Sequence, residues 1–145
     1  MRRFQFRLER FLEIKRYHER EWELKLAEIT GICVNLENEI RNSFEEKARI
    51  FINRYDEARG SLSFLFSSEL YMRWLDNKIG RLRRKLAEKE KIKEEVHKSY
   101  LNASKERKVL ERLKERKAAD YYKLQSNEEN KAVDDINSAL FIRQL

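Results

Sequence analysis

Apolar side chains recur along the first half of the chain at steps of three and four residues. The stripe runs Phe4, Leu8, Phe11, His18, Trp22, Leu26, Ile29, Cys33, Leu36, Ile40, Phe44, Ala48, Phe51, Tyr55 and Ala58, with Lys15 filling one step. That spacing places every member on one face of a helix. Between Leu36 and Ala48 the steps are all four, a stutter that locally unwinds a left-handed supercoil. The second half repeats the pattern through Tyr71, Leu75, Ile79, Leu82, Leu86, Ile92, Val96, Tyr100, Ala103, Leu110, Tyr121 and Leu124. Lys89, Arg107, Lys114 and Lys117 occupy seam positions there, where long aliphatic stems cover apolar surface while the charge reaches water.

Little interrupts these two stripes. The chain has no proline and three glycines in 145 residues, and proline is the residue that most reliably breaks a helix. The clearest break is Arg59-Gly60-Ser61-Leu62-Ser63. The pattern predicts helix 1 over about 3–59, a turn over about 60–67 and helix 2 over about 68–125. Ser67 or Ser68 would cap helix 2. Ser126-Asn127-Glu128-Glu129 reads as a capping box ahead of a short helical extension over about 127–142. A heptad seam about 85 Å long needs a partner, and a short turn makes the two halves antiparallel neighbours. The predicted fold class is therefore all-α, an antiparallel two-helix coiled-coil hairpin forming a single domain over 1–145 with both termini at one end. A helical bundle built by oligomerisation is the alternative.

Composition narrows the class. Aromatics at 11% argue against disorder. No apolar run reaches membrane-spanning length, and Met1-Arg2-Arg3-Phe4-Gln5-Phe6-Arg7 lacks the apolar core of a secretory signal. A single cysteine, Cys33, excludes an internal disulfide. A cytoplasmic protein fits these features. The net charge of +7 is unevenly spread. Residues 78–123 hold 17 Lys/Arg against 8 Asp/Glu, whereas 26–77 hold 6 against 9. A basic helix attracts nucleic acid, anionic lipid or acidic protein, and charge alone does not choose among them.

Catalytic and cofactor signals are missing. There is neither a dinucleotide nor a phosphate-binding glycine loop, and His18 and His97 are too few for a histidine-rich metal site. His18 and Cys33 read as seam residues. The expectation is a non-enzymatic protein with no cofactor and no metal. Two apolar patches stand out instead. One is the hairpin end, with Phe64, Phe66, Tyr71, Trp74 and Leu75. The other is the terminal end, where Phe4, Phe6, Arg7, Leu8, Phe11 and Leu12 would meet Leu140, Phe141, Ile142 and Leu145. A third feature, the basic run Arg81-Leu82-Arg83-Arg84-Lys85, reads as a solvated face or an acidic-protein contact. Its aromatic neighbours fall on the seam, so nucleic acid is not expected.

Two blocks resemble the FliJ family of the flagellar type III export apparatus. The opening Phe4-Gln5-Phe6-Arg7-Leu8-Glu9-Arg10-Phe11-Leu12 is similar to that family's F-x-F-R-L-x-x-h-L start, where h is apolar. Glu106-Arg107-Lys108-Val109-Leu110-Glu111-Arg112-Leu113-Lys114-Glu115-Arg116-Lys117, with Asp134-Asp135-Ile136 further on, resembles its C-terminal block. The resemblance implies an antiparallel two-helix coiled coil similar to the stalk of the rotary ATP synthase γ subunit. It implies partners too: the hexameric export ATPase FliI, whose ring assembly it would promote, and the export gate protein FlhA. A chaperone-escort role and a place at the cytoplasmic face of the inner membrane, reached through partners, are also implied. By the same analogy, Phe4, Phe6, Arg7, Leu8, Phe11, Leu140, Phe141 and Ile142 would serve the ATPase, and Phe64, Phe66, Tyr71, Trp74 and Leu75 the gate. Alternatives are a basic coiled-coil nucleic-acid binder and a related central-stalk subunit of another secretion or rotary ATPase.

Overall fold

The protein, a computed structural model, is described over residues 2–57 and 61–145, with backbone alone at 55–57. It is built from two helices packed against each other: α1, Glu9–Glu57, of 49 residues, and α2, Leu62–Gln144, of 83 residues. No strand occurs among the described residues. The all-α two-helix hairpin read from the stripes is the observed fold.

Both helices start elsewhere than the pattern suggests. Residues 2–6 are not helical, and α1 opens where the Leu12 N–H donates to the Leu8 carbonyl at 3.0 Å. Glu9 in the first turn complements the helix dipole, as Arg54 does in the last. α2 begins at Leu62, inside the expected turn. Ser61 caps it, its carbonyl accepting from Leu65 N–H and its Oγ from Phe64 N–H, both at 3.4 Å. Ser67 and Ser68, the expected alternatives for the cap, both lie inside α2, Ser68 in the seam at 8% exposure. Gly60 lies outside the described residues. No break occurs at Ser126. α2 runs through it without interruption, because a capping box favours a start but does not stop a helix already under way.

The chain divides into two compact units, each taking a stretch of both helices. The first is Met1–Arg20 with Leu101–Leu145. Its pairs run Glu9 with Lys114, Lys15 with Glu106 and Arg16 with Glu111, so the helices are antiparallel. Its buried residues are Leu12, Ala103 and Ser104. The second is Glu21–Tyr100. Tyr71 with Glu46, Lys47 with Asp76 and Arg54 with Glu69 again run antiparallel. Ile29, Cys33 and Ser43 of α1 are buried there, with Ser68, Leu75, Ile79 and Leu82 of α2.

Burial corrects the α1 stripe. Shielded positions 12, 15, 19, 22, 26, 29, 33, 36, 40, 43, 47, 50 and 54 form an unbroken alternation of threes and fours, with Glu21, Thr30 and Glu46 half-covered beside it. The expected stutter is absent. Phe11, Phe44 and Phe51 are 59%, 41% and 51% exposed, while Leu12 and Ser43 are buried one residue away. His18 is likewise exposed, and Glu19 takes its seam place. An unbroken heptad keeps the seam facing its partner, and that geometric demand overrides the preference to bury a ring. Ser43 tolerates burial because its hydroxyl donates to the Glu39 carbonyl at 2.9 Å. On α2, Ile92 and Leu124 are exposed at 43% and 65% where the stripe had them inward.

Candidate protein-interaction surfaces

At the terminal end, residues 2–8 leave the helix and lie along α2. The Phe4 ring packs on Tyr121 with centroids 5.7 Å apart, and the Tyr121 hydroxyl donates to the Arg2 carbonyl at 2.9 Å. Phe4, Phe6 and Leu8 are half-buried, whereas Arg7 and Phe11 are exposed. Leu12, expected to add surface, is fully buried.

The expected meeting of this segment with the C-terminal apolar residues does not occur. With Phe4 docked at Tyr121, Leu140 lies about 28 Å further along the helix axis. α2 simply outlasts α1. Every residue from 126 to 145 is exposed, including Ile136, Leu140, Phe141 and Ile142 at 59%, 52%, 66% and 69%. The two halves of the predicted terminal patch are therefore separate features: a strapped N-terminal segment and an unpartnered apolar helix.

Next to the strapped segment, on the side away from the protruding helix, lies an ion network that the apolar stripes did not reveal. Arg107, at a seam position, donates to both Glu19 and Glu111. Arg16 reaches Glu111 at 3.3 Å, Lys15 meets Glu106 at 2.7 Å and Lys114 meets Glu9 at 2.8 Å. The hydrogen bond from Lys15 holds the Glu106 carboxyl below its usual range. Glu19 holds the Arg107 guanidinium protonated even more firmly than usual. Arg107 was visible as a polar interruption of the stripe. Its acidic partner was hidden because Glu19 sits one residue past the position first assigned to the seam.

At the hairpin end, Phe64, Phe66, Tyr71 and Trp74 are 37%, 67%, 39% and 49% exposed. Tyr71 and Trp74 stack, with centroids 5.6 Å apart and planes at 20°, and Lys78 Nζ sits 5.6 Å from the Trp74 centroid. The Tyr71 hydroxyl donates to Glu46, which raises its pKa above the ordinary 10.0. Leu75 is the exception. It is completely buried, because it faces α1 along with Ile79 and Leu82. It is a core residue of the hairpin. Two shallow grooves flank this end, one bordered by Ile50, Phe64 and Tyr71, the other by Phe44, Phe51 and Met72.

Among the described residues, no group of three His, Cys, Asp or Glu side chains could hold a metal ion, and no helix is long and apolar enough to cross a membrane. Two helices with strapped and protruding ends offer surfaces to other proteins. The family model described as flagellar FliJ protein matches residues 4–145. The chain belongs to the flagellar FliJ family. The match spans the strapped segment, both helices and the protruding end, and it places this FliJ-family chain in flagellar protein export. Searches of curated proteins and of solved structures each returned no match.

Proposed function

We propose that the protein is a non-enzymatic coiled-coil stalk of the flagellar export apparatus. In this reading it binds the hexameric export ATPase FliI, promotes ring assembly and activity, and couples the ring to the export gate FlhA, with an escort role toward export chaperones. It would sit at the cytoplasmic face of the flagellar base, peripheral to the membrane through its partners. The observation that supports this most is the length of α2 beyond residue 125, where a continuous helix presents Ile136, Leu140, Phe141 and Ile142 to solvent. Apolar side chains on a helix with no partner of its own are suited to a socket on another protein. Phe4, Phe6, Arg7, Leu8 and Phe11 form a second, neighbouring contact to the ATPase. Phe64, Phe66, Tyr71 and Trp74 form the contact to the gate.

The test mixes the purified protein with its cognate export ATPase. The full chain raises ring formation and ATP hydrolysis, and a chain ending at Gln125 does not, while melting at the same temperature as the parent. Absence of any binding by the full chain, or full stimulation by the shortened one, refutes the reading.

A further inference from the structure

Beyond Gln125, α2 carries a seam that α1 does not cover. Lys114, Ala118, Tyr121 and Gln125 are half-buried and mark one line along the helix. Steps of three and four continue that line through Glu129, Val133, Ile136, Leu140 and Arg143. Val133, Ile136 and Leu140 are 55%, 59% and 52% exposed. Uncharged residues flank them, Ala132 and Ala139 on one side, Asn130, Asn137 and Gln144 on the other. Lys131, Asp134 and Asp135 lie toward the far side of the helix. An apolar line at this spacing, with the charges kept off its flanks, is the make-up of a coiled-coil face.

The charges that close the line fit a copy of the same line. Glu129 and Arg143 stand seven residues to either side of Ile136. When two copies pair antiparallel about Ile136, Glu129 of each lies beside Arg143 of the other, so two ion pairs form from one pattern. Val133 of each copy then lies near Leu140 of the other, and the small side chains of Ala132 and Ala139 let the backbones come close. A parallel pair would instead set Glu129 against Glu129 and Arg143 against Arg143, and like charges oppose it. Antiparallel is also the direction in which α1 already runs along α2, so the second copy's helix takes over the seam where α1 leaves it. The approach is open. Residue 145 of the second copy stands opposite residue 127, about 9 Å along the axis from Tyr121, where Phe4 is docked.

We propose that two copies of this chain associate through residues 129–143 as an antiparallel, two-fold symmetric helix pair. Another occupant would have to supply an acid and a base of its own at the right spacing, and the second copy brings both. The contact is about 21 Å long, small beside obligate interfaces, so the dimer is reversible with a micromolar Kd. This pairing goes beyond the stalk reading and does not rest on it. It shares Ile136 and Leu140 with the proposed ATPase contact, while Phe141 and Ile142 lie off the line. The test therefore uses this protein alone, and its outcome is independent of any export protein.

Sedimentation equilibrium of the full chain, over a concentration series spanning the micromolar range, should show a reversible monomer–dimer transition. Ile136→Gln with Leu140→Gln should weaken dimerisation by at least about a hundredfold, since each dimer loses both side chains twice. Monomer helicity by circular dichroism should not change, because both residues are exposed in the single chain. Glu129→Lys and Arg143→Glu should each weaken dimerisation by about fivefold. The double variant, which exchanges the two charges, should return to the parent's Kd, a recovery that a parallel pair would not produce. Three results overturn the proposal. These are a monomer at every concentration, a dimer unaffected by the apolar variant, and charge variants that leave the Kd unchanged or are not rescued by the exchange.

Discussion

Leu75 and Phe66 stand nine residues apart on α2 and both read from sequence as candidates for one exposed patch. Leu75 is completely buried, whereas Phe66 is 67% exposed. Leu75→Ala removes three carbons from the seam, a transfer loss of about 2.4 kcal/mol at about 0.8 kcal/mol per methylene. A cavity contribution adds to this. A seam between only two helices relaxes more easily than the centre of a globular core, so the cavity contribution is small and a total of about 2.5–3 kcal/mol is expected, the lower part of the range for buried leucines. Phe66→Ala, with most of its ring already in water, should change stability by less than about 0.5 kcal/mol. Urea titrations followed by far-ultraviolet circular dichroism measure both. Loss of partner binding in Leu75→Ala should track loss of helicity, while Phe66→Ala should weaken partner binding at full helicity. A Leu75→Ala protein as stable as the parent, or a Phe66→Ala protein that is the less stable of the two, would refute the assignment of core and surface.

Three further expectations concern the helix pair. Arg107→Met leaves Glu19, 14% exposed in its side chain, without its partner, and should cost about 1–2 kcal/mol. That is below the range for fully buried pairs because water still reaches this one. Thermal melts of Arg107→Met, Glu19→Gln and the double variant give the coupling, and strict additivity would contradict the network. The Tyr71 pKa is raised by its bond to Glu46, so the folded state favours the protonated phenol. The associated stability is present below the ordinary pKa of 10.0 and lost as pH rises through the folded value. Ultraviolet titration should show one tyrosine ionising late, returning to the ordinary range in Glu46→Gln, and no change in that variant would exclude the bond. Finally, a methyl added at Gly31 meets nothing within 4 Å. Gly31→Ala should therefore stabilise the protein by about 0.5–1 kcal/mol in the same urea assay, and a loss of stability would mean that the glycine has another role.

Much of the architecture was legible without coordinates. A chain with no proline and two long three–four stripes has few ways to bury its apolar faces, and the hairpin follows from that economy. On α2, the seam at Leu75, Ile79, Leu82 and Ala103 was legible because these residues lie on one helical line that few apolar residues, Ile92 and Leu101 among them, depart from. On α1 two lines compete. Phe11, Phe44 and Phe51 are larger than Leu12, Ser43 and Ile50, and periodicity read by size alone selects the rings. The partner helix selects the other line, since only an unbroken heptad stays in register with a second helix over many turns.

The ends divide in the same way. The sequence alone determined that apolar residues gather near both termini and just after Gly60, and that charge turns basic along the second half. Where α1 starts, and hence that Phe4 rests on Tyr121 while Leu140 stands clear, was decided by tertiary structure. So was the pairing of Arg107 with Glu19. Composition and periodicity specify which face of a helix is apolar, because that depends only on the geometry of one helix. Which residues of that face are covered depends on where a second helix begins, ends and lies in register, and those are properties of the pair.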